Sequence, residues 1–349
     1  MLQRLQKKKT CLLIVLSILA IQIIGITTAA QHRSSTIISS GFIEYTSPHP
    51  SDPTPTPIPT PEPALTLTVA KDGTGDYTDI QTAINAAPTT QTTQILIKTG
   101  LYDLNPQLRY PYKSIIVKSN IILKGEGIDQ TIIRSFPTKQ PAGSAIRAPT
   151  ILSQTNIQNL HIQDLTIIQN GSPDNQGWNA IDLRGGTNTH ITIQNIKIRD
   201  VTGAGISVPR FSDLMINNVD VQTAWTGIAI GGGSECTVQN SRIVNTEGDG
   251  IFPQGYQPTA SRITDLRIID NYINNAGDTG LDITSPRNLL PHERILLEGN
   301  TIIDTHIRVS NSYYVTIRDN TITDGSVCAD CGQARPGNIT VEGNRIVTN

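Results

Sequence analysis

Past residue 90 one short pattern recurs ten times: an apolar residue, any residue, a second apolar residue, then four residues and a third apolar one. Its central position falls at Ile97, Leu123, Ile162, Ile193, Ile216, Val238, Ile268, Leu297, Ile317 and Val341, at spacings from 20 to 39 residues. Two residues earlier stand Ile95, Ile121, Leu160, Ile191, Leu214, Cys236, Leu266, Ile295, Val315 and Ile339. Five residues later stand Tyr102, Ile128, Ile167, Ile198, Val221, Ile243, Ile273, Ile302, Ile322 and Ile346. Side chains two apart share one face of a strand, so each apolar-x-apolar unit reads as a short strand turned inward, and the next apolar residue begins another.

The segment between these strands is polar. Asn271, Asn300, Asn320 and Asn344 share one register there, where an asparagine turns the chain and stacks on its counterpart a coil away. Earlier coils carry Ile196, Val219 and Ser241 at that place, with Asn195, Asn218 and Asn240 one residue sooner. A third strand recurs as x-Gly-Ile-x-Ile or a near variant around Ile181, Ile206, Ile228, Ile251, Leu281 and Ile307. Same-sense recurrence of three strands per repeat predicts an all-β chain: a right-handed parallel β-helix solenoid of about ten coils, stacked about 4.8 Å apart. A leucine-rich repeat would show leucine-dominated motifs with a helix per unit, and a β-sandwich would need hairpin turns. An exposed first coil invites edge pairing, and Tyr77, Ile80, Ala83, Ile84 and Ala87 lie at helical spacing before Pro88, so a capping helix is expected within residues 77–87.

The ends set the context of this domain. Residues 1–30 read as a targeting signal, with Arg4, Lys7, Lys8 and Lys9 ahead of an apolar run from Cys11 to Ile26 and small residues to Ala30. Ser17 and Gln22 interrupt the run, which favours cleavage near Ala30; the alternative is an uncleaved anchor, the one expected contact with a membrane. Residues 31–64 form a proline-rich linker holding eight of the chain's 21 prolines, a composition that stays extended and spaces the next domain from its anchorage. A secreted or cell-surface protein follows, with residues 65–349 as one β-helix domain acting as a monomer. Those residues carry 22 basic and 26 acidic side chains, a net charge near −4, so nucleic acid is not an expected partner. Cys236 falls at a core position, and Cys328-Ala329-Asp330-Cys331 is read as a small loop disulfide, with two free thiols as the alternative.

The segment TVAKDGTGDYTDIQTAINAAP resembles the opening of the pectin lyase-like superfamily, as seen in pectinesterases and related secreted β-helix proteins. The resemblance extends over the whole β-helix in architecture and is specific in sequence over this opening segment. It implies a right-handed β-helix and raises polysaccharide chemistry as the expectation, in a superfamily that also holds non-catalytic members.

Unusual residues gather at the entrance to the third strand. Three places before its centre stand Trp178, Gly203, Trp225, Gly248, Asp278 and Asp304, and Asp249 sits one place later in its own coil. Stacked coils put these along one rim, where Trp178 and Trp225 suit stacking on sugar rings and carboxylates suit acid–base work or Ca²⁺ held by Asp249 and Asp278. Asp282 projects outward from the strand that follows Asp278, and Arg308 does so one coil later. The pair NTEGDGI and NAGDTGLDI is similar to the aspartate motifs of polygalacturonase-type hydrolases, with Asp249 and Asp278 at the matching places. Thr279 stands where that family has a second consecutive aspartate, and no Gly-His-Gly or Arg-Ile-Lys element follows. A lyase or epimerase would need a base and a cation beside a uronate carboxylate, for which Arg210, Arg287, His292, His306 and Arg308 are candidates. The Gln-Asp-Thr and Asp-Phe-Ile-Phe-Gly contexts of pectinesterases are missing, which places that chemistry last. The expectation is therefore a carbohydrate-active protein on a uronate-containing polysaccharide, with Asp249, Asp278, Asp282, His306 and Arg308 at its centre and Trp178, Trp225, Arg210 and Arg287 holding the chain. The alternative is a non-catalytic glycan-binding or structural solenoid. In the bland reading the aspartates are turn residues beside glycine, and His161 and His190 are surface residues. Asp182 points outward four coils from Asp282, too far away to share one bond cleavage.

Overall fold

The computed structural model describes residues 61–104, 114–136, 149–169, 179–253, 262–285, 290–329 and 338–348. The targeting segment and nearly all of the linker, together with Trp178, Arg287 and Cys331, lie outside them. Twenty-five strands and one short helix make up the described chain, and every strand pairing is parallel. No helix among the described residues is long and apolar enough to cross a membrane.

Each coil contributes to three faces. Face A runs from Leu65–Val69 through Thr93–Ile97 and Ile121–Gly125 to Ile339–Glu342. Face B runs from Gly100–Asp103 to Arg345–Val347, and face C from Ile115–Val117 to Val327–Ala329. The inward columns are the predicted ones: Ile162, Ile193, Ile216, Val238, Ile268, Leu297 and Ile317 stack in register on face A and are fully buried.

The register departs from expectation in the first coils. Ile95, not Ile97, pairs with Leu123, and Thr93 takes the inward place ahead of it, fully buried. Tyr102 stacks on Ile133 rather than Ile128, because residues 126–130 insert a turn at that corner of the second coil. In the last coil Val341 and Ile346 continue their columns but stand 49% and 53% exposed, with no described coil over them.

The corners explain how strands this short turn without hairpins. One residue in the left-handed region bends the chain at each corner: His190, Asp213 and Glu235 before face A; Asn195, Asn218 and Asn240 between faces A and B; Asn245, Asn275 and Asp304 after face B. Their φ values lie between 51° and 63°, a region Asn and Asp tolerate better than other non-glycine residues. The asparagine register is a continuous ladder. Asn271 and Asn300 each accept a backbone N–H and donate to a backbone carbonyl, and each amide nitrogen reaches the next Asn oxygen at 2.9–3.0 Å.

The cap forms as expected but shorter. The helix spans Ile80–Ala86; Asp79 accepts from the Thr82 backbone N–H at 2.7 Å, and Ile80, Ala83 and Ile84 close the end of the core. Cys236 is a free thiol fully inside the core, which pushes its ionisation up. Cys328 is disulfide-bonded, while its expected partner Cys331 is outside the described residues. His161 is not a surface residue. It occupies an outward position of face A between Ile122 and Thr192, yet it is buried, and desolvation pushes its imidazole down to about 4. His190 is exposed, as expected, with Nε2 3.8 Å from Asp213.

Candidate carboxylate site on face C

The x-Gly-Ile motif brings the rim together. At Gly250 a side chain would meet the Gly280 carbonyl oxygen at 2.6 Å and the Ile273 methyl at 2.8 Å, so only glycine lets these coils close. The rim then stacks in the predicted register: Gly248 donates its N–H to the Trp225 carbonyl at 2.7 Å, and Asp278 donates to the Gly248 carbonyl at 3.2 Å.

Four of the predicted residues meet here. Arg308 lies on Asp282 in register, Nε to Oδ1 at 3.0 Å and Nη2 to Oδ2 at 2.5 Å, a two-pronged fork. The Thr284 hydroxyl donates to the same Oδ1 at 2.5 Å. Arg308 Nη2 also reaches Asp278 Oδ2 at 3.8 Å, and the Asp278 carboxylate is mostly exposed while that of Asp282 is buried. Asp249 completes the group from the preceding coil. Its residue is buried, its Oδ1 has no hydrogen-bond partner among the described residues, and its carboxyl is pushed up to about 7. Burial is the main cause, followed by the charges of Asp282 and Asp278; Arg308 and the Thr279 backbone N–H pull the other way.

The remaining candidates sort differently. Trp225 is 40% exposed and its indole nitrogen lies 3.6 Å from where a Gly248 side chain would begin, so the ring leans over the coil that carries Asp249. His306 is exposed, with Nδ1 3.3 Å from Ser326 Oγ one coil further on. Arg210 stands on the corner after face C, in register with Gly232 and apart from the carboxylates. His292 is buried, accepts the Ile263 N–H at Nδ1 and is pushed down to about 4 by burial, which removes it as a cation for a uronate carboxylate. Sequence reasoning missed Phe252, a half-buried outward side chain one residue past the Ile251–Leu281 pair and thus level with Asp282. Its alternation with Ile251 was the available signal.

The raised ionisation of Asp249 fixes the sign of a stability effect. Its carboxyl ionises near 7 when folded against 3.8 in an unperturbed aspartate, so its contribution is full below about 3.8 and is lost as the pH rises to about 7. Asp249→Asn, which keeps the acceptor for Thr279 and cannot ionise, is expected to raise Tm at pH 8 and leave it nearly unchanged at pH 4. Melting curves at the two pH values check this, and equal shifts at both would refute it.

Two family models overlap along the chain: Pectinesterase matches residues 66–201 and right handed beta helix region matches residues 150–290. The chain is thus similar to pectinesterases over its opening coils and to the right-handed β-helix family over its middle ones. A pectinesterase/pectinesterase inhibitor of Ficus pumila var. awkeotsang is 40% identical over 67 residues, 19% of this chain and 11% of that protein. A probable pectinesterase/pectinesterase inhibitor 6 of Arabidopsis thaliana is 37% identical over 92 residues, 25% of this chain and 16% of that protein. The match spans less than a fifth of either relative. Among solved structures, the Streptococcus pneumoniae surface protein and adhesin PfbA superposes with a TM-score of 0.60 at 14% identity, over 81% of this chain and 86% of that one, a likeness of fold.

Proposed function

We propose that this pectin lyase-like chain is an exported hydrolase of a uronate-containing polysaccharide, with Asp249 as proton donor and Asp282 as the carboxylate that attacks or activates water. One observation carries the reading: a carboxyl that keeps its proton to about pH 7 stands one coil from a carboxylate clamped by a guanidinium. Environments that push two carboxyls apart in this way are how one site performs acid and base chemistry together. Arg308 supports hydrolysis over elimination, because it is committed to Asp282 and is not available to neutralise a uronate carboxylate. With Asp249 protonated, Asp278, Asp282 and Arg308 sum to one negative charge, so the group at the reacting bond is uncharged, an ester or a glycosidic oxygen. Arg308 already supplies positive charge between Asp278 and Asp282, the place a Ca²⁺ ion would otherwise take. Trp225 supplies a ring on which a sugar stacks.

Incubating the purified protein with methyl-esterified pectin, polygalacturonate and neutral glycans tests the reading. Released methanol or new reducing ends, without an unsaturated product, is the expected result. Ultraviolet absorbance from an unsaturated sugar, or no product with any uronate polymer, would overturn it.

A further inference from the structure

The corner that follows face B is made by one left-handed residue per coil, and one of those residues is ill suited to it. Register stacks Asp200, Thr223, Asn245, Asn275, Asp304 and Asp324 in this column, all at positive φ. Five of them are Asn or Asp, whose short polar side chains tolerate that region. Thr223 is β-branched and stands at φ 59°, where a branched Cβ crowds its own backbone. Among the described residues at positive φ it alone is β-branched. Thr223 also leaves a bond unmade. Asn275 donates its amide to Asn245 Oδ1 at 2.9 Å, and an asparagine at 223 would accept from Asn245 in the same way. The Thr223 hydroxyl has no hydrogen-bond partner among the described residues.

Backbone strain and a missing bond at one position point to a use for the side chain itself. Thr223 is exposed, and Trp225, 40% exposed, stands two residues on, at most about 7 Å away along the chain. Both lie on the outside of the rim, one coil before the winding of Asp249. We propose that Thr223 is a sugar-contacting residue, its hydroxyl bonding a hydroxyl of the unit that stacks on Trp225. The inference rests on the polysaccharide reading and deepens it by adding a second, neutral contact to the unit held beside the carboxylates. Asparagine here would give a more stable corner, and threonine gives one that binds.

The test compares the unaltered protein with three variants on partly methyl-esterified oligogalacturonides. Thr223→Val keeps the branched shape without the hydroxyl, Thr223→Ser keeps the hydroxyl, and Thr223→Asn relieves the backbone. Affinity is read by titration calorimetry, turnover as KM and kcat, and stability as Tm. Thr223→Val is expected to weaken binding about fivefold, the size of one neutral hydrogen bond, with the loss in KM rather than kcat. Thr223→Ser recovers most of that affinity. Thr223→Asn raises Tm by a few degrees and, with its amide drawn to Asn245, binds as weakly as Thr223→Val. Unchanged affinity and KM in Thr223→Val overturn the contact and leave the hydrolase reading intact. A loss in Thr223→Ser as large as in Thr223→Val also overturns it, and so does a Tm of Thr223→Asn no higher than that of the unaltered protein. Binding that depends on the Thr223 hydroxyl without any turnover supports the contact and removes the hydrolase reading alone.

Discussion

Asp249→Asn abolishes most of the proposed turnover, lowering kcat by about two to four orders of magnitude, the range a positioned proton donor contributes. The substitution is nearly isosteric and keeps an acceptor for the Thr279 N–H, so the loss reports the proton and not the shape. In the unaltered protein kcat/KM falls as the pH rises through about 7, because the donor is competent only while it holds its proton. Arg308→Gln moves that limb to higher pH, since Arg308 is the charge that favours ionisation of Asp249. Measured pH–rate profiles of the three proteins decide the matter. If Asp249→Asn keeps a tenth or more of the turnover, another group donates the proton.

Asn300→Ala is expected to produce the largest loss of stability, about 3 kcal/mol or more. Its side chain is fully buried and joins Asn271 above to Asn320 below, so removal leaves the Asn271 N–H and the Ile268 carbonyl without partners in a dry interior. Thr301→Ala, one residue on and turned outward on face B, is the matched control. Urea unfolding of the two variants makes the comparison, and a midpoint for Asn300→Ala no lower than that of the control would show that the ladder adds little.

The architecture was readable because a coil repeats its own inward columns, and a two-residue alternation names the inward face without any knowledge of the neighbours. The same alternation hides slips of two. Ile95 and Ile97 both point inward, so sequence spacing alone had no means to prefer one over the other as the partner of Leu123, and Thr93 did not look like a core residue. Ile128 failed for a related reason: an inserted corner turn displaced the inward place to Ile133. At the site, the stacking of Trp225, Gly248 and Asp278 and the approach of Arg308 to Asp282 followed from register. The proton on Asp249 did not, since it depends on how far the surrounding coils remove that carboxyl from water. Burial likewise reversed the reading of His161 and removed His292 as a cation, though both residue types are usually wet.

The stacking of the inward columns bears on how far a local defect reaches. Each winding leans only on the one before and the one after, so a substitution is felt chiefly by its two neighbours. The windings of Asp182 and Asp282 are four steps apart, so damage at the first leaves the carboxylate cluster nearly undisturbed, whereas the same damage beside Arg308 does not.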